Sequence, residues 1–555
     1  MLLVLSLAAI SGVLLWAAFF PLDLGPLGFV ALVPWLMLVR APVTRRRRYG
    51  AAYFGAFVFF ALATNWVRVA DPMMYFSWAG LSLVLPLFWV LGLDLIRRCD
   101  RLGVPLALSV PVTWVALEYV RMHFPTGFPF LKPLGMYQMI GFGWYFLGYT
   151  QHSFLRLIQI ADLGGVYAVS FVVGAVNGLL ADWMYRVPRV NALLRMPAQN
   201  PESAVDGRRI VSAATLGVVA LTGASIAYGA QQLAHGPYRS GPVVSAIQGS
   251  VPQGQKMLKG NELQMSYARL FREAVTANPR PDLVVWPETC FPEDWIETAP
   301  GQTPPEDFDR QAHTCEKYFS SIVFGVPTLI GLTSLEWENG QTWKYNSALL
   351  LTGRGKKVGR YDKMHLVPFG EYVPLKEYFP FLQAFTPYKE DYSCRPGEHW
   401  THFPLKAADQ REYTFGCLIC YEDSDPDLAR RYVAGDEPVD FLVNISNDGW
   451  FDGTEEHEEH LAISCFRAIE ARRTIVRSVN MGISAIIDPD GRVIVLPRDS
   501  WSASKKVDAV LSGEVLIASG RSLYSAIGDW VPAGCWAALA VVITLALLSR
   551  PENPV

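Results

Sequence analysis

Eight apolar windows, each about 20 residues long, constrain this chain more than any other feature. They fall at 1–20, 24–40, 50–69, 76–97, 103–120, 164–185, 210–231 and 526–548. As helices, such runs cross a bilayer core of about 30 Å. Between 232 and 525 the pattern changes to that of a soluble α/β domain. The expected organisation is therefore a membrane domain with seven transmembrane helices over 1–231, an extramembrane domain over 232–525, and an eighth transmembrane helix with a tail over 526–555. Composition agrees: 51% of the 555 residues are hydrophobic and only 18% are charged, in a chain too long for one ordinary domain.

The first window has no positively charged start and no small-residue cleavage site, and a second window follows at once, so it reads as a membrane helix rather than a leader. Arginines orient the spans. Arg45 to Arg48 follow the second, Arg97, Arg98 and Arg101 follow the fourth, and Arg186, Arg189, Arg195, Arg208 and Arg209 lie between the sixth and seventh. Positively charged loops stay cytoplasmic, which puts both termini inside and 232–525 outside. Residues 133–151 are also free of charge, but a ninth crossing there would reverse the later loops. They are expected to form an interfacial or re-entrant segment.

A net charge of −3, without a basic, aromatic-interleaved patch in the outer domain, argues against a nucleic-acid partner. The arginine clusters are topology signals that can also meet anionic lipid. The eight cysteines, at 99, 290, 315, 394, 417, 420, 465 and 535, form no framework. Cys417-x-x-Cys420 has no second pair, so zinc is not expected. On a strand, positions three apart point to opposite faces, so if Cys420 faces a cleft then Cys417 belongs to the core. The acidic run from Glu455 to His460 lacks the His-Glu-x-x-His spacing; its acids suit a helix N-terminus, and no metal is expected there.

Three apolar strands end in reactive side chains. Tyr413 to Ile419 runs into Cys420-Tyr421-Glu422-Asp423, Leu283 to Trp286 runs into Pro287-Glu288, and a hairpin turning at Gly353-Arg354-Gly355 leads to Tyr361-Asp362-Lys363. A lone cysteine at a strand end is ordinarily a core residue. A thiol, a carboxylate and an ammonium at three such ends are the parts for covalent acyl chemistry. Further strands are expected at 243–248, 327–333, 347–351 and 439–445. Helices are expected from Asn261 and near 306–322, 425–434 and 458–473, with a hairpin whose tip is Asp488 to Gly491.

The order Glu288, Lys363, Cys420 resembles the Glu-Lys-Cys triad of the nitrilase (carbon-nitrogen hydrolase) superfamily. The wording Trp286-Pro287-Glu288-Thr289, the stretch Lys363 to Pro374 and Cys420-Tyr421-Glu422 are similar to its apolipoprotein N-acyltransferase branch. The resemblance covers about residues 240–520 and, more weakly, the apolar part. It implies a periplasmic αββα sandwich beside a multi-span helical domain in a bacterial inner membrane, with Glu288 as base, Lys363 as oxyanion stabiliser and Cys420 as nucleophile. Glu371, Glu422, Asn346, Tyr421 and Trp450 would support them. The implied activity is ping-pong transfer of an acyl chain from a phospholipid to the N-terminal diacylglyceryl cysteine of an apolipoprotein, with no cofactor and no metal.

The chain departs from the family pattern in places. Lys256-Met257 stands where Lys-Trp is usual, Asp452 where Gly is usual, and extra residues separate Thr126-Gly127-Phe128 from Gly148-Tyr149-Thr150-Gln151. The apolar, proline-broken stretch 372–385 suggests a lid that accepts acyl chains, with Phe291 to Ile296 as part of the same rim. Three other readings are open to the residues alone: a membrane-tethered amidase that uses water as acceptor, a non-catalytic scaffold, and a transporter with a soluble appendage. The last should carry paired intramembrane charges, and the windows hold few beyond Asp94 and Glu118.

Overall fold

The computed structural model describes residues 2–128, 130–131, 138, 140–194, 201–234, 237–254, 261–374, 376, 379–385 and 392–548. Residues 133–137 and 139 of the charge-free segment, Lys256 and Met257, and positions 375, 377 and 378 of the expected lid lie outside these.

Helical segments fall at each apolar window, but they differ in kind. Leu2–Ala17, Arg45–Ala63, Leu106–His123, Pro201–Leu233 and Trp530–Leu548 are single helices, and Ala161–Met184 is kinked near its start, where Gly164 and Gly165 leave the helical backbone conformation. The second window folds as two short turns, Gly25–Phe29 and Val33–Leu36, with prolines at both starts. The fourth divides into Met74–Val84 and Pro86–Arg101, where Pro86 opens the second piece. Among the described residues, three helical stretches are long and apolar enough to cross a membrane: Met74–Arg101 with its two pieces taken together, Ala161–Met184 and Arg209–Leu233.

The second half is built on two mixed sheets. With β1 (Arg239–Gln248), β2 (Leu283–Val285), β3 (Trp295–Thr298), β4 (Thr328–Glu338), β5 (Gln341–Leu351), β6 (Lys357–Asp362) and β13 (Ala509–Ile517), one has the order β13-β1-β2-β4-β5-β6, with β3 paired to β4. With β7 (Phe403–Lys406), β8 (Glu412–Ile419), β9 (Phe441–Asn447), β10 (Ile475–Asn480), β11 (Ala485–Ile487) and β12 (Val493–Val495), the other runs β12-β11-β10-β9-β8-β7. In the first, β1, β2 and β4 are parallel, and β5 and β6 follow as antiparallel hairpin strands. In the second, β8, β9 and β10 are parallel, so they need helical crossovers between them.

Alternation along the strands builds the layers. Val244, Ala246, Leu283, Val285, Leu329, Ala348 and Leu350 pack in one core with Cys417, Ile419, Val443 and Val476 of the facing sheet. The other face of the first sheet, with Ile247, Val284, Ile330 and Leu349, packs with residues of the helices Asn261–Val275 and Glu306–Ser321. On the far side of the second sheet, Pro426–Ala434 and Glu456–Ala471 contribute Leu428, Tyr432, Leu461 and Cys465. The result is a helix-sheet-sheet-helix sandwich.

One expectation is corrected. Phe291 and Trp295 are not on an exposed rim: both are buried, in ring contact with Phe319 of the helix Glu306–Ser321. The run Glu456 to His460 opens the helix Glu456–Ala471, as its acids suggest, and every residue of that helix is buried between the sandwich and the helical part. Glu459 accepts the Phe20 N–H at 2.8 Å, and Glu470 accepts that of Val166 at 2.7 Å.

Candidate active site

Glu288 stands just past β2, where the pairing with β4 continues through the Trp286 N–H to the Leu329 carbonyl. Gly331 on β4 makes this possible: a Cβ there would come within 2.3 Å of the Pro287 carbonyl oxygen and 2.7 Å of the Glu288 Cα. Lys363 directly follows β6, and its N–H extends that ladder to the Asn346 carbonyl at 2.8 Å. Cys420 directly follows β8 and opens the 3-10 turn Cys420–Ser424 with φ +56°, a left-handed conformation uncommon for a residue with a side chain. The turn ends the strand sharply and presents the thiol at its tip.

The sequence-singled side chains meet here. The Lys363 ammonium, 1% exposed, lies 3.1 Å from Glu288 Oε1 and 2.9 Å from Glu371 Oε2. Asn346 donates to both carboxylates, at 2.7 and 2.6 Å. The Asn447 N–H reaches Glu288 Oε2 at 2.9 Å, and the Val367 N–H reaches Glu371 Oε2 at 2.8 Å. Burial alone would push the lysine's pKa down, but Glu288 and Glu371 hold it well above the ordinary lysine value. The two carboxylates thereby favour the charged form of a buried lysine.

Burial, with the negative charge of Glu288, pushes the Cys420 thiol well above its usual range, against the opposing pull of Lys363. The resting group is a thiol, so its proton must leave as it reacts. Cys417 is buried in the core, as the strand alternation predicts.

Glu422 braces two of the three strand ends. Its Oε1 accepts the N–H groups of Met364 at 2.6 Å and His365 at 3.1 Å, its Oε2 that of Ile419 at 2.7 Å, and the Tyr361 hydroxyl donates to both oxygens. Burial raises its carboxyl pKa, and these donors oppose that. Tyr421 donates to the Leu366 carbonyl at 2.9 Å and turns its ring toward Lys363, whose Nζ is 5.7 Å from the centroid. Trp450 is half-buried on the turn Asp448–Phe451 after β9, and its neighbour Phe451 meets Trp66 of the helical part at 4.7 Å.

Sequence reasoning missed two features. His365 lies 3.1 Å from Asp425; burial lowers its pKa, but the aspartate raises it above the ordinary value overall. Behind the turns sits a buried cluster of Asp423, Asp448, Glu456, His457, His460 and Arg477. The His-x-x-His spacing and acids of the run 455–460 were visible, but burial was not. Asp448, Glu456 and His460 offer ligand atoms within 4.8 Å of one another, a set that could hold a cation. Arg477 pairs with Asp423 at 2.8 Å and approaches Asp448 at 3.8 Å, so protein charges already meet these acids.

This geometry can be set beside known proteins. Residues 11–179 match the family model described as apolipoprotein N-acyltransferase N-terminal domain, and residues 243–518 match that of carbon-nitrogen hydrolase. An apolipoprotein N-acyltransferase of Geobacter metallireducens is 33% identical over 97% of this chain and 94% of its own length. The chain belongs to the apolipoprotein N-acyltransferase family. A relative so named from Azotobacter vinelandii is 32% identical over 98% of this chain and 95% of its own. A carbon-nitrogen hydrolase structure from Helicobacter pylori is 17% identical, covering 56% of this chain and 98% of that one, with a TM-score of 0.34. Membership in this family makes the chain an acyltransferase-type enzyme whose second half is a carbon-nitrogen hydrolase unit.

Proposed function

We propose that this chain transfers an acyl chain from a phospholipid to the α-amino group of the S-diacylglyceryl cysteine at the N-terminus of apolipoproteins, through a thioester on Cys420. The observation that carries the reading is the buried Lys363 ammonium held between Glu288 and Glu371 beside a cysteine at a strand end, in a chain of this family.

In the first half-reaction Glu288 takes the thiol proton as sulfur attacks the ester carbonyl. Charge develops on the carbonyl oxygen, and Lys363, with a backbone N–H after Cys420, stabilises it. One such donor is worth roughly 3–4 kcal/mol in a site closed to water. Collapse breaks the ester C–O bond, the glyceryl oxygen takes the proton from Glu288, and lysophospholipid leaves. In the second half-reaction the lipoprotein amine, with a pKa of about 8, attacks the thioester. Glu288 accepts the amine proton and returns it to the departing sulfur. Glu371 and Asn346 hold Lys363 and Glu288 in place, Glu422 and Tyr421 hold the turns, and Trp450 shapes the adjoining wall.

The placement proposed is a bacterial inner membrane, with eight spans, both termini cytoplasmic and residues 232–525 periplasmic; the arginine-rich loops and the apolar helices support it. Phe379 and Phe381, 49% and 65% exposed, give the lid an apolar face for acyl chains.

The test is the intact mass of the purified protein after incubation with phospholipid, before and after a diacylglyceryl-cysteine peptide is added. An acyl-sized gain that is absent from Cys420→Ala and passes to the peptide is expected. Lipid binding without an adduct overturns the thioester route, and hydrolysis with no transfer to the peptide favours an amidase-like use of water.

A further inference from the structure

The extra residues between Phe128 and Gly148 return to the sandwich at Gln138. Its side-chain amide donates to the Met364 carbonyl at 2.8 Å and accepts the Leu366 N–H at 3.1 Å. A glutamine amide offers an NH2 that donates and an oxygen that accepts, so it pairs with the backbone on both sides of His365 as a neighbouring strand would. Met364 directly follows Lys363.

The described residues after it tie this contact to the helical part. Gly141 lies against the end of the helix Leu106–His123, where a Cβ would meet the Met122 carbonyl oxygen at 2.0 Å, and the Phe142 N–H donates to the Arg121 carbonyl at 2.9 Å. Arg121 in turn donates to the Trp144 and Tyr145 carbonyls. Gly143 comes against Ser424 of the nucleophile turn, and the Trp144 ring meets His460 edge-on at 5.5 Å. Residues 141–146 are thus anchored on the helices and touch the nucleophile turn and the buried cluster behind it, while Gln138 touches the lysine segment.

Lys363 is fixed on its N-terminal side by the β5–β6 ladder. On its C-terminal side five backbone groups of 364–366 are held by side chains: Glu422 takes two N–H groups, Tyr421 binds the Leu366 carbonyl, and Gln138 binds the Met364 carbonyl and the remaining N–H. Of these three, Gln138 alone comes from outside the sandwich.

We propose that Gln138 is a positioning residue, by which the helical part sets the backbone that aims the Lys363 ammonium at the oxyanion. The inference rests on the reading of Lys363 given above. A shift of about 1 Å in a catalytic group can cost roughly 100-fold in rate, so loss of this clamp acts on turnover more than on substrate affinity.

The test uses the full-length protein in phospholipid nanodiscs, with Gln138→Leu and Gln138→Asn. Leucine keeps bulk without hydrogen bonds, and asparagine, one methylene shorter, cannot span both partners. In both, Cys420 acylation measured by intact mass should slow roughly 10- to 100-fold at saturating phospholipid, with the half-saturating concentration unchanged. The pH inflection for Cys420 alkylation should also move upward, because a displaced ammonium no longer favours the thiolate; a merely structural role would not move it. Parent-like rates and inflection in either folded variant overturn the proposal, as does a loss explained wholly by reduced folded protein. A Lys363→Met protein that still acylates Cys420 at the parent rate would instead defeat the reading of Lys363.

Discussion

The ammonium of Lys363 and the carboxylate of Glu288 lie 3.1 Å apart at the ends of two strands of one sheet, with the lysine almost wholly buried. Replacing Lys363 by methionine keeps the bulk but leaves Glu288 and Glu371 facing each other without their cation. Breaking a buried pair in this way costs roughly 3–5 kcal/mol. Lys363→Met should therefore lower the melting temperature and abolish the Cys420 acyl adduct, while Lys363→Met/Glu371→Gln recovers part of the stability and none of the adduct. Differential scanning fluorimetry and intact mass read the two effects separately.

Asn346 donates to both acids from one amide nitrogen. Asn346→Asp keeps its shape and puts a third carboxylate against the other two. Activity should fall at least about 100-fold at neutral pH and recover partly under mild acid, as one of the three acids takes up a proton. A pH-rate profile that coincides with that of the parent would show that this amide does not organise the pair.

The two cysteines of β8 and its turn should separate cleanly. Cys417 is buried in the core between the sheets, so Cys417→Ala should cost about 1 kcal/mol of stability and leave acylation intact. Cys420→Ala should form no adduct. Equal loss in both variants would mean that the pair works together.

His460 should give the fold a pH dependence whose sign is set by its two aspartates. Burial lowers its pKa, but Asp423, 2.8 Å away, and Asp448 outweigh burial and hold it up to about 10, against 6.5 ordinarily. A raised folded-state value stabilises fully below about pH 6.5 and fades as pH rises toward about 10. Melting temperature should fall across that window, and His460→Gln should flatten the fall. A slope unchanged in the variant would place the titration elsewhere.

How much of this could be read from the chain differs by scale. The strand ends carrying Glu288, Lys363 and Cys420 were visible because apolar runs stopping at polar residues are a local signal, and so were Asn346 and Glu422 once the family wording was noticed. Phe291 and Trp295 were misplaced because an aromatic cluster looks alike on a rim or under a helix; the packing of Glu306–Ser321 decides it. The acids of 456–459 sit at a helix start, as their sequence suggests, but their burial is not legible there because it comes from contact with the helical part, as between Glu459 and Phe20. Gln138 carried no signal at all: a lone glutamine in an apolar segment acquires meaning only through the two backbone groups it reaches.

Glu422 offers the most demanding test of how the strand ends are coupled. Its carboxylate takes three backbone N–H groups, two from the residues after Lys363 and one from the residue before Cys420, along with the Tyr361 hydroxyl. A glutamine there can accept through one atom only, and its NH2 must then face an N–H donor. Hydrogen bonds to a charged group are worth about 1.5–3 kcal/mol each, so Glu422→Gln should destabilise by a few kcal/mol. Because the two ends lose their common brace, Cys420 acylation should fall roughly 100-fold even in the fraction that remains folded, without loss of phospholipid binding. Acylation at the parent rate in folded Glu422→Gln protein would mean that the two segments hold their geometry independently, and that the carboxylate serves stability alone.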